Sequence, residues 1–572
     1  MSASIRWKYV PGGEPVLSRT RPCEWNAGVP LVRSKSLILS LPKGLQTPLP
    51  VSDFRSTMKV VTAAQMSEID RRAQAEFGIS EDCLMNEAGR AVARVIRDRF
   101  SPERVCVVCG KGNNAGDGYV VARELHLAKA DVTVVAVVSP SELRGAASRA
   151  YASAVQAGVP IVGPDPLPDL LAQADVVVDA LLGTGVKGPV RQEWEPVVLE
   201  ISRAPGIVVA VDVPSGVREL HPGETLGTVI SADLTVTIGC PKLALLTYPG
   251  SEHVGELIVE RINFPAELLD SEALELNYEP PSRLGTWIPH RPAIGHKGTF
   301  GKVGIIAGSP PFAGAAILST RAALRAGCGL AYLFTTAALN PVYKMAIPEA
   351  VTVIVSEDPK GYLTEEAHGE ILRRTQELDA LAIGPGLGTT VRQQRLVREL
   401  IRQSTIPMVV DADALTCLAE ELPQLRESIV LTPHPGEMAR LLGKTTAEVQ
   451  AARIEAVRSL ATRTGATVLL KGADSLIARP DGQVWISPGA TSALAKGGTG
   501  DVLTGLIASL LAQGMAPWQA ALLGAQVHLR AAIRCARAIG ERGVLASEVA
   551  DALPYGFLEL EECALSTRDG DT

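Results

Sequence analysis

The sequence predicts an α/β protein made of two successive halves, each a three-layer arrangement of helices, sheet and helices. Apolar runs rich in Val and Ile alternate with helical patterns from residue 58 to about 270, and a second series runs from about 290 to 555. Continuous apolar strands between helices are typical of parallel sheets that are buried on both faces. Of the 572 residues, 46% are hydrophobic and only 4% are aromatic, which suits closely packed α/β layers.

The strand candidates carry this prediction. Those of the first half are RVCVVCG (104–110), DVTVVAVV (131–138), ADVVVDALLGTG (174–185), GIVVAVDVPSG (206–216), ADLTVTIGC (232–240) and GELIVERI (255–262). Those of the second half are GKVGIIAGS (301–309), LAYLFTT (330–336), AVTVIVSE (350–357), LDALAIGPGLG (378–388), MVVDADAL (408–415), SIVLTPHPGE (428–437), ATVLLKG (466–472) and SLIARPDGQVWI (475–486).

Residues 1–57 differ from the rest of the chain because they are rich in Pro and Ser and show no periodicity. Met58 directly precedes a helical pattern in which Thr62 and Gln65 have the spacing of a capping box. We therefore expect residues 1–57 to be an extension that is disordered or that precedes the native start.

Two domains are expected after this extension, at 58–275 and 285–560. The segment 277–298 between the two series of strands is rich in Pro and poor in periodicity, which predicts a linker.

Composition and charge argue against nucleic acids and membranes as partners. The formal net charge is −7, and no run of about 18 apolar residues is present. The N-terminus lacks the apolar core of a signal peptide and the nine cysteines are scattered, which favours a cytoplasmic protein with free thiols. The close pair Cys106 and Cys109 lies in a predicted strand, and we interpret it as buried and structural.

Polar residues of the first half collect where predicted strands end. Asn113, Asn114 and Asp117 follow the first of these strands, Asp179 ends the third, and Asp212 follows the fourth, with Ser215 close behind. Ligands of open α/β sheets bind beyond the carboxyl ends of the strands. The backbone N–H groups of NNAGDG, ahead of a helix, predict a cradle for phosphate.

A competing interpretation comes from GTGVKG at 183–188, which matches the dinucleotide-binding fingerprint of dehydrogenases. That fingerprint normally follows the first strand of its domain, whereas here it follows the third. A single match at the wrong strand is weak support for a dehydrogenase.

Three motifs of the first half together resemble the NAD(P)H-hydrate epimerase family: KGNNAGDGY (111–119), DALLGTGVKGP (179–189) and DVPSG (212–216). The resemblance spans about 58 to 270 and implies a Rossmann-like fold. Ala115 departs from the family pattern, which has glycine there.

The resemblance implies a site for the hydrated nicotinamide dinucleotides NADHX and NADPHX. The implied binding residues are Asn113, Asn114, Ala115, Gly116, Asp117, Gly183, Thr184, Gly185, Val186, Lys187, Gly188, Pro189 and Asp212. It also implies a potassium ion held by Asn114, Asp179 and Ser215, and oxygen-only ligands suit such a hard cation. Lys187 and Asp212 are the implied acid/base candidates.

The motif AKGGTGDVLTG, at 495–505, is the most specific signal of the second half. Its glycines let backbone N–H groups approach a phosphoryl group, and the following helix favours negative charge at its N-terminus. Asp501 stands where it can take a proton from an attacking hydroxyl group. A glycine-rich turn with an aspartate cap is the structural alternative.

The second half resembles the ribokinase-like ADP-dependent NAD(P)H-hydrate dehydratase family from about 290 to 555. The motifs are HKGTFGKVGIIAGS, GAAILSTRAALRAGCGL, GPGLG, VVDADAL, LTPHPGEMARLLG, VLLKGADSLIA and KGGTGDVLTG. The resemblance implies that Ala315, Gly386, His434 and Asp501 contact the hydrate. It implies that ADP is held by Lys471, Gly472, Ala473, Asp474, Ser475 and Gly500. On its own, a histidine such as His434 is more often structural, and only the surrounding TPHPGE favours the functional interpretation.

The two resemblances imply one metabolite-repair function. The first half would interconvert the R and S epimers of the hydrate. The second would dehydrate the S epimer with ADP and Mg²⁺, giving AMP and phosphate. Residues alone leave ADP and ATP open; the fused architecture resembles bacterial and archaeal members, which use ADP. We also expect a homo-oligomer.

Two other interpretations stay open. The second half could be a small-molecule kinase that keeps its phosphorylated product. The first half could be a catalytically silent nucleotide-binding or scaffold module, against which the acidic set Asp117, Asp179 and Asp212 counts.

Overall fold

The computed structural model describes residues 57–186, 188–221 and 223–566, which form two β-sheets with helices on both faces. The strands are β1 Met58–Val60, β2 Arg104–Cys109, β3 Asp131–Ala136, β4 Ile161–Val162, β5 Val176–Ala180, β6 Ile207–Val211, β7 Leu234–Ile238, β8 Glu256–Glu260, β9 Leu276–Tyr278, β10 Lys302–Ile306, β11 Leu330–Thr335, β12 Val351–Ile354, β13 Ala380–Ile383, β14 Met408–Val410, β15 Ile429–Leu431, β16 Thr467–Leu470, β17 Ser475–Ala478 and β18 Val484–Ser487.

The helices of the first half are α1 Ala63–Phe77, α2 Glu81–Phe100, α3 Asn113–Leu127, α4 Gly145–Gln156, α5 Leu167–Gln173, α6 Glu195–Ser202, α7 Leu243–Leu246 and α8 Ala266–Leu269. Those that follow are α9 Pro281–Thr286, α10 Ala313–Arg325, α11 Asn340–Ala346, α12 Ala367–Thr375, α13 Val391–Gln403, α14 Asp413–Leu418, α15 Pro435–Leu442, α16 Thr446–Ala451, α17 Arg453–Thr464, α18 Thr499–Ala512, α19 Pro517–Ile539 and α20 Ala546–Ser566.

The first sheet has seven strands in the order β4-β3-β2-β5-β6-β7-β8, and all neighbouring strands are parallel. The chain starts the sheet at β2, adds β3 and β4 on one side, and then returns past β2 to add the remaining strands. The strand order therefore reverses between β2 and β5. In open α/β sheets this reversal opens a crevice at the carboxyl ends of the strands, which places a ligand site there.

The second sheet has eleven strands in the order β1-β9-β18-β17-β16-β15-β14-β13-β10-β11-β12. The strands from β16 through β10 to β12 are parallel, whereas β17 is antiparallel to both of its neighbours. Here the order reverses between β10 and β13. The carboxyl ends of β13 to β16 therefore lie on one edge, together with the loop that precedes α18.

Each sheet is buried on both faces, which confirms the predicted three-layer α/β class. In β2, Val105 and Val107 pack into one core with α2 and α3, whereas Cys106 and Val108 pack into the opposite core with α5 and α6. The second sheet alternates in the same way between a core with α10, α18, α19 and α20 and a core with α12 to α17. Strands that are apolar on both faces produce the continuous Val/Ile runs of the sequence.

Two local predictions are confirmed. Thr62 caps α1, since its side chain accepts from Gln65 N at 3.1 Å and the Gln65 side chain accepts from Thr62 N at 2.9 Å. Cys106 and Cys109 are both buried in β2, where burial raises the pKa of the Cys106 thiol to about 12. No helix of the described residues is long and apolar enough to cross a membrane.

The segment interpreted as a linker contains a strand and a helix, so that interpretation is wrong in part. β9 pairs in parallel with β18 and antiparallel with β1, which joins Met58–Val60 to the edge of the second sheet. Strands of three residues are too short to show a periodicity in sequence. The domain boundaries themselves stay predictions.

The predicted extension lies outside the described residues except for its last residue. The Thr57 hydroxyl donates to Glu279 Oε1 at 2.7 Å, and Glu279 is 2% exposed. Thr57 is therefore part of the folded structure.

We predict that Gly505→Ala lowers the midpoint of thermal unfolding. Alanine is favoured over glycine inside a helix by about 1 kcal/mol. However, a Cβ at Gly505 in α18 would lie 1.9 Å from the Ser319 carbonyl oxygen of α10, and overpacking typically costs about 1–3 kcal/mol. The matched control is Gly369→Ala in α12, where the nearest atom, Arg373 Nη1, is 3.8 Å away, so the midpoint should stay or rise. An unchanged midpoint for Gly505→Ala would contradict the close helix packing.

Candidate active sites

A cavity of about 730 Å³ lies at the carboxyl edge of the first sheet, beside the reversal between β2 and β5. Apolar side chains of α1 and α2 cover one side, and the segment 181–191 forms another. The predicted residues that line it are Asn113, Asn114, Asp117, Gly183, Thr184, Gly185, Val186, Pro189 and Asp212. The structure therefore brings together residues from three separate strand ends.

Other predicted residues of the first site lie elsewhere. α3 begins at Asn113, so NNAGDG forms the first turns of that helix rather than a loop ahead of it. Ala115 and Gly116 are buried and do not line the cavity; a Cβ at Gly116 would lie 2.5 Å from Met85 Sδ of α2. These small residues let α2 and α3 pack closely. Gly188 does not line the cavity either, and Lys187 lies outside the described residues.

Asn114, Asp179 and Ser215 form one buried polar cluster around the backbone of Leu182. Ser215 Oγ donates to Asp179 Oδ1 at 2.6 Å and accepts from Leu182 N at 2.8 Å, while Ser215 N donates to Asp179 Oδ2 at 2.8 Å. Asn114 Nδ2 donates to Leu182 O at 2.9 Å, which leaves its buried Oδ1 without a partner among the described residues. Burial raises the pKa of Asp179 to about 6, against the opposing effect of these hydrogen bonds.

Asp212 is held by an ammonium group that sequence reasoning did not single out. Its Oδ1 accepts from Ile238 N at 3.0 Å, from Thr237 Oγ1 at 3.1 Å and from Lys242 Nζ. Lys242 is 2% exposed and lines the cavity. A lysine inside the apolar stretch GCPKLALL, directly after a strand, is the signal that could have identified it.

Asp70 and Asp117 place two more carboxyl groups at this cavity. Burial, reinforced by the charge of Asp212, raises the pKa of Asp117 well above its usual range. Burial also raises the pKa of Asp70 to about 6, opposed by the charge of Lys242. Asp70 lies in α1, away from the strand ends of the first sheet, and the sequence offered no motif that marks it. The cavity therefore contains several carboxyl groups, and burial raises the pKa of two of them.

A second polar network lies at the carboxyl edge of the second sheet. Asp411, which is 1% exposed, follows β14 and accepts from Lys471 Nζ at 2.7 Å and from Thr504 Oγ1 at 2.6 Å. Glu437 Oε2 lies 3.8 Å from Lys471 Nζ. Burial opposes the charge on Lys471, but Asp411 and Glu437 raise its pKa overall. Of this network only Lys471 was a predicted site residue.

Asp501 lies in the first turn of α18, which begins at Thr499 directly after Gly498. Burial raises the pKa of Asp501 to about 7; the charge of Asp411 adds to this rise and Lys471 opposes it. A carboxyl group with such a pKa changes protonation near neutral pH, which is what a general base requires. The free N–H groups at the start of α18 provide donors for an anion beside it.

His434 caps α15. Its Nδ1 accepts from Gly436 N at 3.0 Å and from Glu437 N at 3.4 Å, and Glu437 Oε2 accepts from His434 N at 2.8 Å. This is the structural role that the sequence left open. Nδ1 is thus an acceptor, and Nε2 lies 3.5 Å from Glu437 Oε1. The side chain is 55% exposed, so the ring can also be reached from outside.

Ala315 and Gly386 are brought together although they are far apart in sequence. Gly386 has φ +60°, and a Cβ there would lie 3.0 Å from Ala315 Cβ and 2.7 Å from Phe312 Cβ. Ser309 Oγ donates to Gly386 O at 2.7 Å, which anchors this turn to the end of β10. Glycine is needed at 386 both for its backbone conformation and for the lack of a side chain.

The carboxylate of Asp474 is directed to backbone amides. Its Oδ1 accepts from Gly489 N at 2.9 Å, and its Oδ2 accepts from Tyr248 N of the first half. Asp474 has φ +52°, an uncommon conformation for a residue with a side chain. These bonds hold the turn of residues 471–475, and part of that support comes from the first half of the chain.

Fold and sites together define an α/β enzyme with two separate centres, each with acidic residues at the carboxyl edge of a parallel sheet. The family described as YjeF-related protein N-terminus matches residues 81–244, and the family described as NAD(P)H-hydrate dehydratase matches residues 303–555. The bifunctional NAD(P)H-hydrate repair enzyme of Moorella thermoacetica is 40% identical over 518 residues, which cover 88% of this chain and 98% of that protein. That of Thermofilum pendens is 38% identical, covering 88% and 97%.

The chain belongs to the family of bifunctional NAD(P)H-hydrate repair enzymes. A crystal structure of the ADP/ATP-dependent NAD(P)H-hydrate dehydratase from Bacillus subtilis, co-crystallised with ATP/Mg²⁺, is 32% identical over 50% of this chain and 98% of that chain, with a TM-score of 0.45.

We predict that Lys471→Met destabilises the protein and that Asp411→Asn added to it restores part of the loss. The single change leaves Asp411 buried as a charge without its ammonium partner, and breaking a buried pair costs about 3–5 kcal/mol. Removing both charges avoids that cost. Midpoints of thermal unfolding of the single and double variants at pH 7 test this. A double variant less stable than Lys471→Met would contradict the pairing.

Proposed function

We propose that this chain repairs hydrated nicotinamide cofactors in two steps, one at each site. The first site interconverts the R and S epimers of NADHX and NADPHX. The second site dehydrates the S epimer to NADH or NADPH and converts ADP to AMP and phosphate. The observation that carries the proposal is Asp501, half-buried at the start of α18 with its pKa raised to about 7, in a chain that belongs to the repair family.

The dehydration needs a base and an anion site side by side. Asp501 takes the proton of the substrate hydroxyl group as the oxygen attacks the β-phosphorus of ADP, and AMP leaves. The N–H groups at the start of α18 stabilise the charge on the phosphoryl oxygens. The phosphate ester then eliminates phosphate, with loss of a proton from the neighbouring ring carbon, and the double bond is restored. Phosphate is a far better leaving group than hydroxide.

Residues 471–475 and Gly500 are proposed to hold the nucleotide. Lys471 supplies positive charge near Asp501, while the Asp474 carboxylate is occupied by the amides of Gly489 and Tyr248. Asp474 therefore acts through the shape of its turn rather than through its side chain. Ala315, Gly386 and the His434 Nε2–H are proposed to contact the hydrate.

Magnesium is proposed to accompany the nucleotide. No group of three or more His, Cys, Asp or Glu side chains in the described residues is arranged to hold a metal ion by itself. In nucleotide-dependent enzymes, Mg²⁺ is usually bound by the substrate phosphates together with one or two carboxylates. Glu437, in the first turn of α15, and Asp413, the first residue of α14, are carboxylates close enough to influence Asp501 and are candidates for this role. Bound Mg²⁺ would neutralise charge on the phosphoryl oxygens.

Potassium is proposed to bind at Asn114, Asp179 and Ser215. The orphaned, buried Asn114 Oδ1 and the Asp179 carboxylate supply oxygen ligands of the kind a hard cation prefers. A bound cation would also offset the cost of burying the Asp179 charge. Potassium would help to fix the segment 181–183, which lines the cavity. A homo-oligomer and a cytoplasmic location stay predictions.

We predict that Asp501→Asn and Asp212→Ala separate the two activities. With ADP, the wild-type protein should clear a mixture of both epimers. Asp501→Asn should lose about 10²–10⁴-fold in dehydration rate and still bind ADP, since the amide cannot act as a base. Asp212→Ala should clear S and leave R at its spontaneous rate of epimerisation. The measurement is chromatography of each epimer, NAD(P)H, AMP and phosphate against time.

The same assay identifies the outcomes that would overturn these roles. If Asp501→Asn kept more than about a tenth of the wild-type dehydration rate, Asp501 would not be the general base. A stable phosphorylated product in place of NAD(P)H would indicate a kinase. Loss of S turnover in a folded Asp212→Ala protein would mean that the two sites depend on each other.

We predict that kcat/KM for dehydration rises with pH around a midpoint near 7. Asp501 must be ionised to act as a base, and its raised pKa keeps it protonated below about pH 7. Asp411→Asn removes the neighbouring charge that adds most to the effect of burial, so the midpoint should move to lower pH. An unchanged midpoint in Asp411→Asn would show that the pH dependence of the rate does not arise from the ionisation of Asp501.

We predict that K⁺ raises the thermal stability of the wild-type protein. Melting curves in potassium, sodium and choline chloride at equal ionic strength test this without an activity assay. Asn114→Ala should lose the specific effect of K⁺, whereas Asn113→Ala, whose Nδ2 donates to Glu81 at the helix entrance, should keep it. Equal melting curves in all three salts would show that the protein has no specific site for potassium.

A further inference from the structure

We propose that Asp212 is the base and Asp117 the acid of epimerisation, and that Lys242 is a positioning residue that keeps Asp212 charged and oriented. This inference rests on the proposed function of the first half. It differs from the expectation that Lys187 and Asp212 form the pair. The carboxyl groups of Asp212 and Asp117 line the same cavity, but different contacts hold them.

Lys242 is a fixed cation. Its ammonium group donates to Ile238 O at 2.6 Å, to Thr237 Oγ1 at 3.1 Å and to Asp212 Oδ1. An ammonium group has three N–H donors, so these acceptors use all of them. With 2% exposure it has no contact with bulk water to exchange a proton. Lys242 is therefore suited to hold a charge rather than to transfer a proton.

Asp212 has one occupied oxygen and one free oxygen. Oδ1 accepts from three donors, namely Lys242 Nζ, Thr237 Oγ1 and Ile238 N. Among the described residues, no donor reaches Oδ2, and the side chain is 17% exposed at the cavity. Three donors on one oxygen, one of them an ammonium group, fix the direction of the carboxyl group. The free oxygen is then presented to the ligand space.

The backbone at Asp212 supports the same role. Its φ is +64°, a conformation that residues with side chains rarely adopt, and its N–H donates to Val236 O at 2.8 Å. Such a conformation persists where the surroundings hold it, and it is found preferentially at functional sites. Here it turns the side chain from the end of β6 toward β7 and Lys242.

Asp117 is held in the opposite way. It lies on α3, lines the same cavity, and no described donor or cation contacts its carboxyl group. Burial, reinforced by the nearby charges of Asp212 and Asp70, raises the pKa of Asp117 well above its usual range. One carboxyl group held by an ammonium group and another without a described donor form the kind of unequal pair that acid/base catalysis needs. The charged and titratable side chains that line this cavity with them are Asp70, Glu81, Lys111, Arg191 and Lys242.

The chemistry of the substrate requires both groups. Hydration of the nicotinamide ring places the hydroxyl group on a carbon that is also bonded to the ring nitrogen. Asp212 removes the hydroxyl proton while the carbon–nitrogen bond breaks, and the electron pair goes to the nitrogen, which takes the proton of Asp117. The product is an open-chain aldehyde. Rotation about its neighbouring carbon–carbon bond presents the other face, and the reverse steps close the ring and return both protons.

The test compares Lys242→Met, Thr237→Val and Asp117→Asn in the full-length protein, with Lys59→Met as the matched control for loss of a lysine charge. Lys59 Nζ contacts Gln483 Oε1 at 3.3 Å and not the cavity. Epimer interconversion without ADP is followed by chromatography between pH 5 and 9. Dehydration of the S epimer with ADP reports whether each variant is folded.

Lys242→Met should lower kcat for epimerisation about 10²-fold at neutral pH with little change in KM, and its rising pH limb should move to higher pH. Thr237→Val, which removes one bond from each partner, should move that limb in the same direction by less. Asp117→Asn should lower kcat by about 10²-fold or more and abolish the falling limb at high pH. Lys59→Met should keep the wild-type rate and profile.

An unchanged rising limb in both Lys242→Met and Thr237→Val would overturn the role of Lys242. An Asp117→Asn protein with more than about a tenth of the wild-type rate would overturn the role of Asp117. Both results presuppose a wild-type protein that interconverts the epimers. If the wild-type protein does not, the proposed function of the first half is wrong, and that outcome is distinct from a failure of these assignments.

Discussion

Each candidate site of this protein contains a lysine, largely withdrawn from solvent, that faces a carboxylate beyond the carboxyl end of a strand. Lys242 holds Asp212 in the first half, and Lys471 holds Asp411 in the second. Taking an ammonium and a carboxylate out of water is costly unless further hydrogen bonds satisfy both groups. Thr237, Ile238 and Thr504 provide those bonds. The neighbouring carboxyl groups are Asp117 in the first half and Asp501 in the second. The pKa of each is raised in part by an aspartate that is already paired with a lysine.

Contact with a lysine distinguishes two kinds of carboxyl group in these sites. Asp212 and Asp411 accept hydrogen bonds from their lysines, whereas Asp117 and Asp501 lie half-buried nearby without such a contact among the described residues. Burial then favours their neutral forms. In the second half this places the pKa of Asp501 close to neutrality, where one group can accept and release a proton within a cycle.

Elements of the first half of the chain pack against the second half. β1 and β9 complete the edge of the second sheet, and Val60 and Leu246 lie in its core. The segment that begins with Lys242 in the first cavity continues through α7 to Tyr248, whose N–H donates to Asp474 in the proposed nucleotide turn. Ala244, Leu245 and Leu246 of this connecting segment are buried. Separation of the halves would expose apolar residues and leave Asp474 without one of its donors.

The amino-acid sequence was sufficient to predict the α/β class, the strands with continuous apolar runs and most of the strand-end residues proposed for both sites. Those features are local, since apolar runs, glycine-rich turns and capping patterns are set by neighbouring residues. Only the tertiary structure decided that Lys242 meets Asp212, that Asp70 joins Asp117, and that Asp411, Glu437 and Thr504 surround Lys471. These contacts join elements far apart in the chain, and no local pattern specifies which side chains a folded sheet brings within hydrogen-bond distance. The same reason applies to β1 and β9, which have no continuous apolar run: β9 pairs along the edge of β18, and β1 pairs with β9.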